Sequence, residues 1–302
     1  MTPGRRGPMP EPSALPSARL FVLAAALLFS TGGTAIKATD LSAWHVAGLR
    51  SGIAALALLA LAPHWRPRAE PRALLVGAAY ASVMILFVLA NKLTTAANTI
   101  FLQSTAPLYV LLLAPWLLRE SVRARDLPYV AATGLGIALL VLGGAPQPTA
   151  PDPLRGNVIA AASAVSWALT IMGLRWLARA PGDAVRRQGV ALVTGNLITC
   201  LVCLPGAGPL GATTMRDWAL IGYLGVFQLG LAYRCLARGM RGVPAMEASL
   251  LLLVEPIGSA LWAWGLLGER PGPVSLAGCL VVIAATVGRT VWSRADAATV
   301  AS

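Results

Sequence analysis

The chain has 302 residues, of which 57% are hydrophobic and only 12% are charged, half the share that clothes an ordinary water-soluble globule. Its formal charge of +12 comes with no basic helix and no cluster of stacking aromatics, so nucleic acid is excluded as the reason for it. Lipid is the solvent such a composition suits.

A helix needs about 20 mostly apolar residues to cross the hydrocarbon core. Ten runs of about that length are predicted, at residues 20–39, 43–63, 73–91, 96–118, 127–145, 156–175, 188–205, 217–236, 243–267 and 273–292. Residues 1–18 hold five prolines and little apolar area and are expected to form a disordered cytoplasmic tail. Residues 146–155 read as an extracytoplasmic linker and 293–302 as a second cytoplasmic tail. When the loops are assigned alternately to two sides, eighteen of the 24 basic residues fall on the side of the amino terminus and five on the other. Those five are Lys37, Lys92, Arg155, Arg216 and Arg270; Arg50 lies inside a span. The positive-inside bias then places both termini in the cytoplasm, with the plasma membrane as the location.

The fourth run overlays the ninth at a shift of 149 residues, matching Pro107 to Pro256 and Glu120 to Glu269. Both pairs are 13 residues apart, about 20 Å along a helix, so each proline falls near the membrane centre and each glutamate at an interface. Five spans per half is an odd number, and the second half therefore enters inverted. The expected fold class is an all-α integral membrane protein of ten transmembrane helices, arranged as two inverted five-helix repeats over 19–145 and 156–292. Gly48 with Gly52, Ala132 with Gly136, and Ala284 with Gly288 are spaced for close helix packing. Trp44, Trp65, Trp218 and Trp292, near span ends, suit an interfacial belt.

Charges inside a span are costly and mark function. Glu255 sits at the middle of the ninth run and is read as a proton-titratable or cation-recognising group; Arg50, in the second run, as the holder of a substrate carboxylate or the partner of Glu255. Gln103, Gln228, Trp167 and Thr170 are candidate cavity lining. Pro107, Pro256, Gly32 and Gly33 are candidate bends or gates, and Lys37, Glu120 and Glu269 are candidate helix-end anchors. Glu247 suits the positive end of its helix. Cys200, Cys203, Cys235 and Cys279 lie in apolar runs and read as small hydrophobes, with neither a disulfide framework nor a metal site expected.

The tract TGGTAIKATDLSAWHVAGLRSG, together with APLYVLLLAPWLLRE and EPIGSALWAWGLLGE closing the fourth and ninth spans, resembles the EamA-type members of the drug/metabolite transporter superfamily over about residues 19 to 291. The resemblance implies a ten-helix bundle with a central cavity and the export or exchange of small metabolites such as amino acids. It also assigns Lys37, Arg50, Pro107, Glu120, Glu255, Pro256 and Glu269 to recurring polar or helix-bending positions. Ala106 stands where the second half has Glu255, which departs from a symmetric site.

The expected function is a secondary active transporter of a small organic solute, working by alternating access with proton coupling through Glu255 as its preferred form. The alternatives are a broad drug or cation efflux permease, a passive channel, and an integral-membrane lipid enzyme. Enzyme chemistry is disfavoured because no G-x-S-x-G, H-E-x-x-H or aspartate-rich pair is present, and G-x-x-x-x-G-K-[ST] is missing as well. Neither a cofactor, ATP, nucleic acid nor an obligatory protein partner is expected; the expected partners are the solute, protons and membrane lipid.

Overall fold

The computed structural model describes residues 16–67, 70–117, 126–143, 147–179, 182–240, 243, 248 and 251–301, with the backbone alone at 16, 114 and 289–301. Among the described residues the regular elements are helices, and a single isolated bridge pairs Gln147 with Ala150. In chain order they are α1 (Pro16–Ser30), α2 (Gly32–Lys37), α3 (Ala43–Leu61), α4 (Pro71–Leu93), α5 (Ala96–Gln103), α6 (Ala106–Leu117), α7 (Leu127–Leu142), α8 (Pro153–Arg179), α9 (Ala184–Gly206) and α10 (Met215–Tyr223). A π-helical stretch, Leu224–Leu231, leads into α11 (Ala232–Gly239), followed by α12 (Val254–Leu267) and α13 (Pro273–Ala301). Helix overlaps each of the ten predicted runs. Among the described residues, seven helical segments are long and apolar enough to cross a membrane, and Leu127–Leu142 and Pro273–Gly288 are shorter apolar helices. The chain is thus a multi-pass, all-helical membrane protein. The last helix runs through Ala301, beyond the start of the expected tail, over a segment rich in the strongest helix former, alanine.

Proline decides where the spans break. Pro107 lacks an N–H and its ring crowds the carbonyl four residues back, that of Gln103. The helix accordingly ends at Gln103 and restarts at Ala106. Pro256 likewise stands in the first turn of α12, where its missing donor leaves no gap in the ladder. Both prolines therefore stand in the first turn of a helix that begins within its apolar run. Gly32 and Gly33 open α2 just after the turn at Thr31.

The two segments of the chain interlock: α4 packs on α8 and α9, α3 on α9 and the π-helical stretch, α1 on α11 and α12, and α7 on α13. Small residues let these backbones approach. A Cβ on Gly48 would lie 2.7 Å from Leu204, and one on Gly52 2.9 Å from Cys200. The C-x-x-C pair is thus one face of α9 seated against the small-residue face of α3, and all four cysteines are free. Gly136 packs on Val282 and Gly278 in the same manner. The pair Ala284 and Gly288 does not: Ala284 is exposed and nothing lies within 4 Å of a Cβ at Gly288, because this face of α13 points away from α7. Trp65 also departs from the expected belt. The loop after α3 folds back beneath the bundle, burying Trp65 to 1% exposure against Gly189, with the Arg234 guanidinium 5.8 Å from its ring. Trp44 and Trp218 are exposed, as an interfacial belt requires, and the side chain of Trp292 lies outside the described residues.

Candidate functional site

Arg50 is held inside the bundle on α3, 1% exposed. Its Nη2 donates to the Met84 carbonyl at 3.3 Å and touches Met84 Sδ at 3.7 Å, and its guanidinium lies 5.9 Å from the centre of the Phe87 ring. No ion pair joins it to Glu255. That half-buried carboxylate occupies the first turn of α12, where the exposed N–H groups of the helix favour negative charge. Tyr233 of α11 is electrostatically in reach of both. Its ring meets Tyr80 of α4 edge-on at 5.7 Å and Phe29 of α1 at 5.0 Å.

The π-helical stretch brings Gln228 to the same region. Gly32 admits it, since a Cβ there would stand 2.7 Å from Gln228 Nε2. π-Helical turns are rare and frequent at functional sites. Gly225 and Gly230 seat this stretch on α3, with a Cβ at Gly225 reaching 2.9 Å from the Arg50 carbonyl. Trp167 of α8 packs partly buried against the cluster containing Tyr80 and Met84, and against Ala106. Gln103 adjoins it: its Nε2 donates to Ser163 Oγ at 2.9 Å, one turn before Trp167. Thr170 is different, fully buried with its hydroxyl donating to the Ser166 carbonyl of its own helix at 2.8 Å. Gly33 faces Ala96 and Asn91, and Pro256 is buried beside Ser259 and Glu255 in the first turns of α12.

A second polar group closes the end of the bundle that carries Lys37. Lys37 Nζ and Glu269 Oε1 form an ion pair at 3.1 Å, with side chains 4% and 1% exposed. Glu269 Oε2 accepts from the Ala96 N–H at 2.9 Å, satisfying one free donor of the α5 N-terminus, and Lys37 also donates to the Thr149 carbonyl. Gly268 makes this possible: its left-handed φ of 66° ends α12 and turns the next residue back toward the core. Beside it, Asp217 accepts from the Asp40 N–H at 3.0 Å and completes a capping box with Thr214. Thr94 donates to Asn157 Oδ1 at 2.7 Å, and Asn157 donates to the Leu140 carbonyl at 2.9 Å. Glu269 is thus far more buried than an interfacial anchor. Glu120 and Glu247 lie outside the described residues.

Tyr80, Asn196, Tyr233 and Asp217 were missed in the sequence. The three interior side chains are single polar groups in apolar runs, a faint signal that becomes visible once α4, α9 and α11 are side by side. Among the described residues no group of three or more His, Cys, Asp or Glu side chains could hold a metal ion.

The family model for EamA-like transporters matches residues 16–142 and again 154–290. The chain belongs to the EamA-like transporter family. This EamA-like chain is 25% identical over 258 residues to the threonine/homoserine exporter RhtA of Escherichia coli K12, covering 83% of each chain. It is 33% identical over 123 residues to a probable terminal-alkyne amino-acid exporter of Streptantibioticus cattleyicolor, covering 39% of this chain and 41% of that one. A crystal structure 21% identical in sequence superposes with a TM-score of 0.61 over 92% of this chain and 98% of the other, a likeness of fold. The protein is therefore a membrane transporter, which agrees with its apolar helices and with the family resemblance of its sequence.

Proposed function

We propose that this EamA-like protein is a secondary active exporter or exchanger of amino-acid-like metabolites, working by alternating access between two inverted five-helix repeats. The observation that carries the reading is the pair of ionisable groups within apolar runs, Arg50 and Glu255, not paired with each other and both in electrostatic reach of Tyr233. A lone charge in the hydrocarbon region costs about 2.5–3.5 kcal/mol on insertion scales, so a structural purpose would be better met by an ion pair or by apolar residues. Threonine and homoserine, the solutes for which the relative RhtA is named, each carry a carboxylate and an ammonium.

Glu255 is the proposed proton-coupling site, and Gln228, Gln103 and Trp167 the proposed lining beside it. Pro107, Pro256, Gly32 and Gly33 mark where segments break and can move. The Lys37–Glu269 latch faces the extracytoplasmic side in the proposed topology, with both termini cytoplasmic and the chain in the plasma membrane. Its closure supports assigning this arrangement to an inward-facing state.

Counterflow in reconstituted vesicles tests the reading, with amino acids, nucleosides, polyamines and cationic drugs as the panel. Saturable exchange of an amino acid is expected; uptake confined to cationic drugs makes the protein a drug permease, and a current that does not saturate makes it a channel. Under an imposed pH gradient, Glu255→Gln is expected to abolish driven transport while leaving insertion intact. Unaltered gradient-driven uptake in that variant removes the proton role.

A further inference from the structure

Three polar atoms in the bundle interior are sealed from solvent without a hydrogen bond of full geometry: Nε of Arg50, Oη of Tyr80, which has Tyr233 and Asn196 close by, and Oδ1 of Asn196. Their residues are 1%, 0% and 0% exposed and come from three different helices, α3, α4 and α9. They are neighbours, because Arg50 reaches Met84, one turn after Tyr80 on α4, and Gly195, adjacent to Asn196 on α9, packs against the Tyr80 side chain. Buried polar groups are ordinarily paired, so three such atoms close together suit recognition of a polar ligand.

Their chemistry says what the occupant is. Arg50 offers donors and a full positive charge, and its described partners, the Met84 carbonyl and thioether and the Phe87 ring, bring no negative charge to meet it. Tyr80 offers a second donor in its hydroxyl. Asn196 already donates Nδ2 to the Leu192 carbonyl at 3.0 Å, which orients the amide and leaves its oxygen as an acceptor. The positions are also rigid. A Cβ on Gly195 would fall 2.7 Å from Tyr80 Cδ1 and 2.5 Å from the Gly77 carbonyl oxygen, so α4 and α9 touch here and the tyrosine ring lies directly over the glycine.

We propose that Arg50, Tyr80 and Asn196 form a subsite for the α-amino-acid head group, the substrate carboxylate accepting from Arg50 Nε and the Tyr80 hydroxyl while Asn196 Oδ1 accepts from the adjacent ammonium. The assignment rests on the amino-acid transport reading above and adds the residues that read the substrate. It leaves Glu255 to the proton-coupling role proposed above.

Counterflow of a transported amino acid tests it, with the primary amide, which lacks the carboxylate charge, and the 2-hydroxy acid, which lacks the ammonium, as competitors. The unaltered protein is expected to prefer the amino acid over its amide by about 30-fold or more, as loss of a charge-assisted pair predicts. Tyr80→Phe, which removes one oxygen and keeps the packed ring, is expected to weaken the amino acid about tenfold and the amide, whose neutral carbonyl accepts a weaker bond, by less, so that their ratio falls. Asn196→Ala is expected to weaken the amino acid but not the hydroxy acid. Equal competition by acid and amide, or a Tyr80→Phe protein with the original ratio, overturns the subsite while amino-acid transport stands. If the unaltered protein exchanges no amino acid at all, the transport reading fails and the subsite falls with it. Arg50→Gln is expected to abolish the carboxylate preference; should it fail to insert, Tyr80→Phe and the analogue panel decide the question.

Discussion

Lys37 and Glu269 meet at 3.1 Å with almost no exposure, and Glu269 also caps α5 through Ala96. Removing one member leaves an uncompensated buried charge, at a cost of about 3–5 kcal/mol, whereas neutralising both leaves none. Glu269→Gln alone is therefore expected to lower the unfolding temperature in detergent more than the double variant Lys37→Gln/Glu269→Gln does. A double variant no more stable than the worse single one would show that the pair does not couple. The single variant also frees the end of the bundle it closes, so its impermeant-reagent labelling at that end is expected to rise. Arg50 contrasts with this pair in having the Met84 carbonyl rather than a carboxylate as its hydrogen-bond partner. On the proposed reading, the difference separates a charge that holds segments together from one available to a ligand.

At the scale of the elements, glycine spacing governs how close the helices come. Gly195 brings α9 against Gly77 and Tyr80 of α4, with no room for a methyl group. Gly195→Ala is expected to destabilise the protein by about 1–3 kcal/mol, as overpacking does. Gly265→Ala, in α12 with nothing within 4 Å of the added carbon, is expected to be neutral or stabilising by up to about 1 kcal/mol through helix propensity. Thermal unfolding of the two variants checks both signs. The broken segments follow the same local logic, since Pro107 and Pro256 each stand in a first turn where the missing N–H is tolerated. Gln103 is left at the end of α5, reaching across to Ser163 of α8.

For the whole molecule, the basic residues forecast orientation. Ala212 lies in an exposed loop at the end that carries Lys37, and His64 is exposed at the opposite end. In intact cells Ala212→Cys is expected to react with a membrane-impermeant maleimide, and His64→Cys only after permeabilisation. The reverse pattern would invert the proposed topology, and labelling of both in intact cells would break the alternation on which ten spans depend. The contacts of α4 with both α8 and α9, and of α3 with α9, show that the two family-matched stretches are interleaved rather than side by side. In the proposed alternating-access cycle, movement of one against the other repacks the surroundings of Arg50, Tyr80 and Asn196, which would couple substrate binding to the change of access.

Hydrophobic run length, proline position and the excess of arginine are local or additive properties, so the membrane class, the helical character and the places where spans break were readable from residue order alone. Arg50 and Glu255 stood out in the same way, because a charge within an apolar run is conspicuous whatever surrounds it. The burial of Glu269, the inward fold of Trp65, the outward face of Ala284 and Gly288, and the meeting of Arg50, Tyr80 and Asn196 were decided only by the tertiary structure. Those depend on which faces of distant helices come into contact, and in a chain that is apolar nearly all round, helical periodicity carries almost no information about which face that will be.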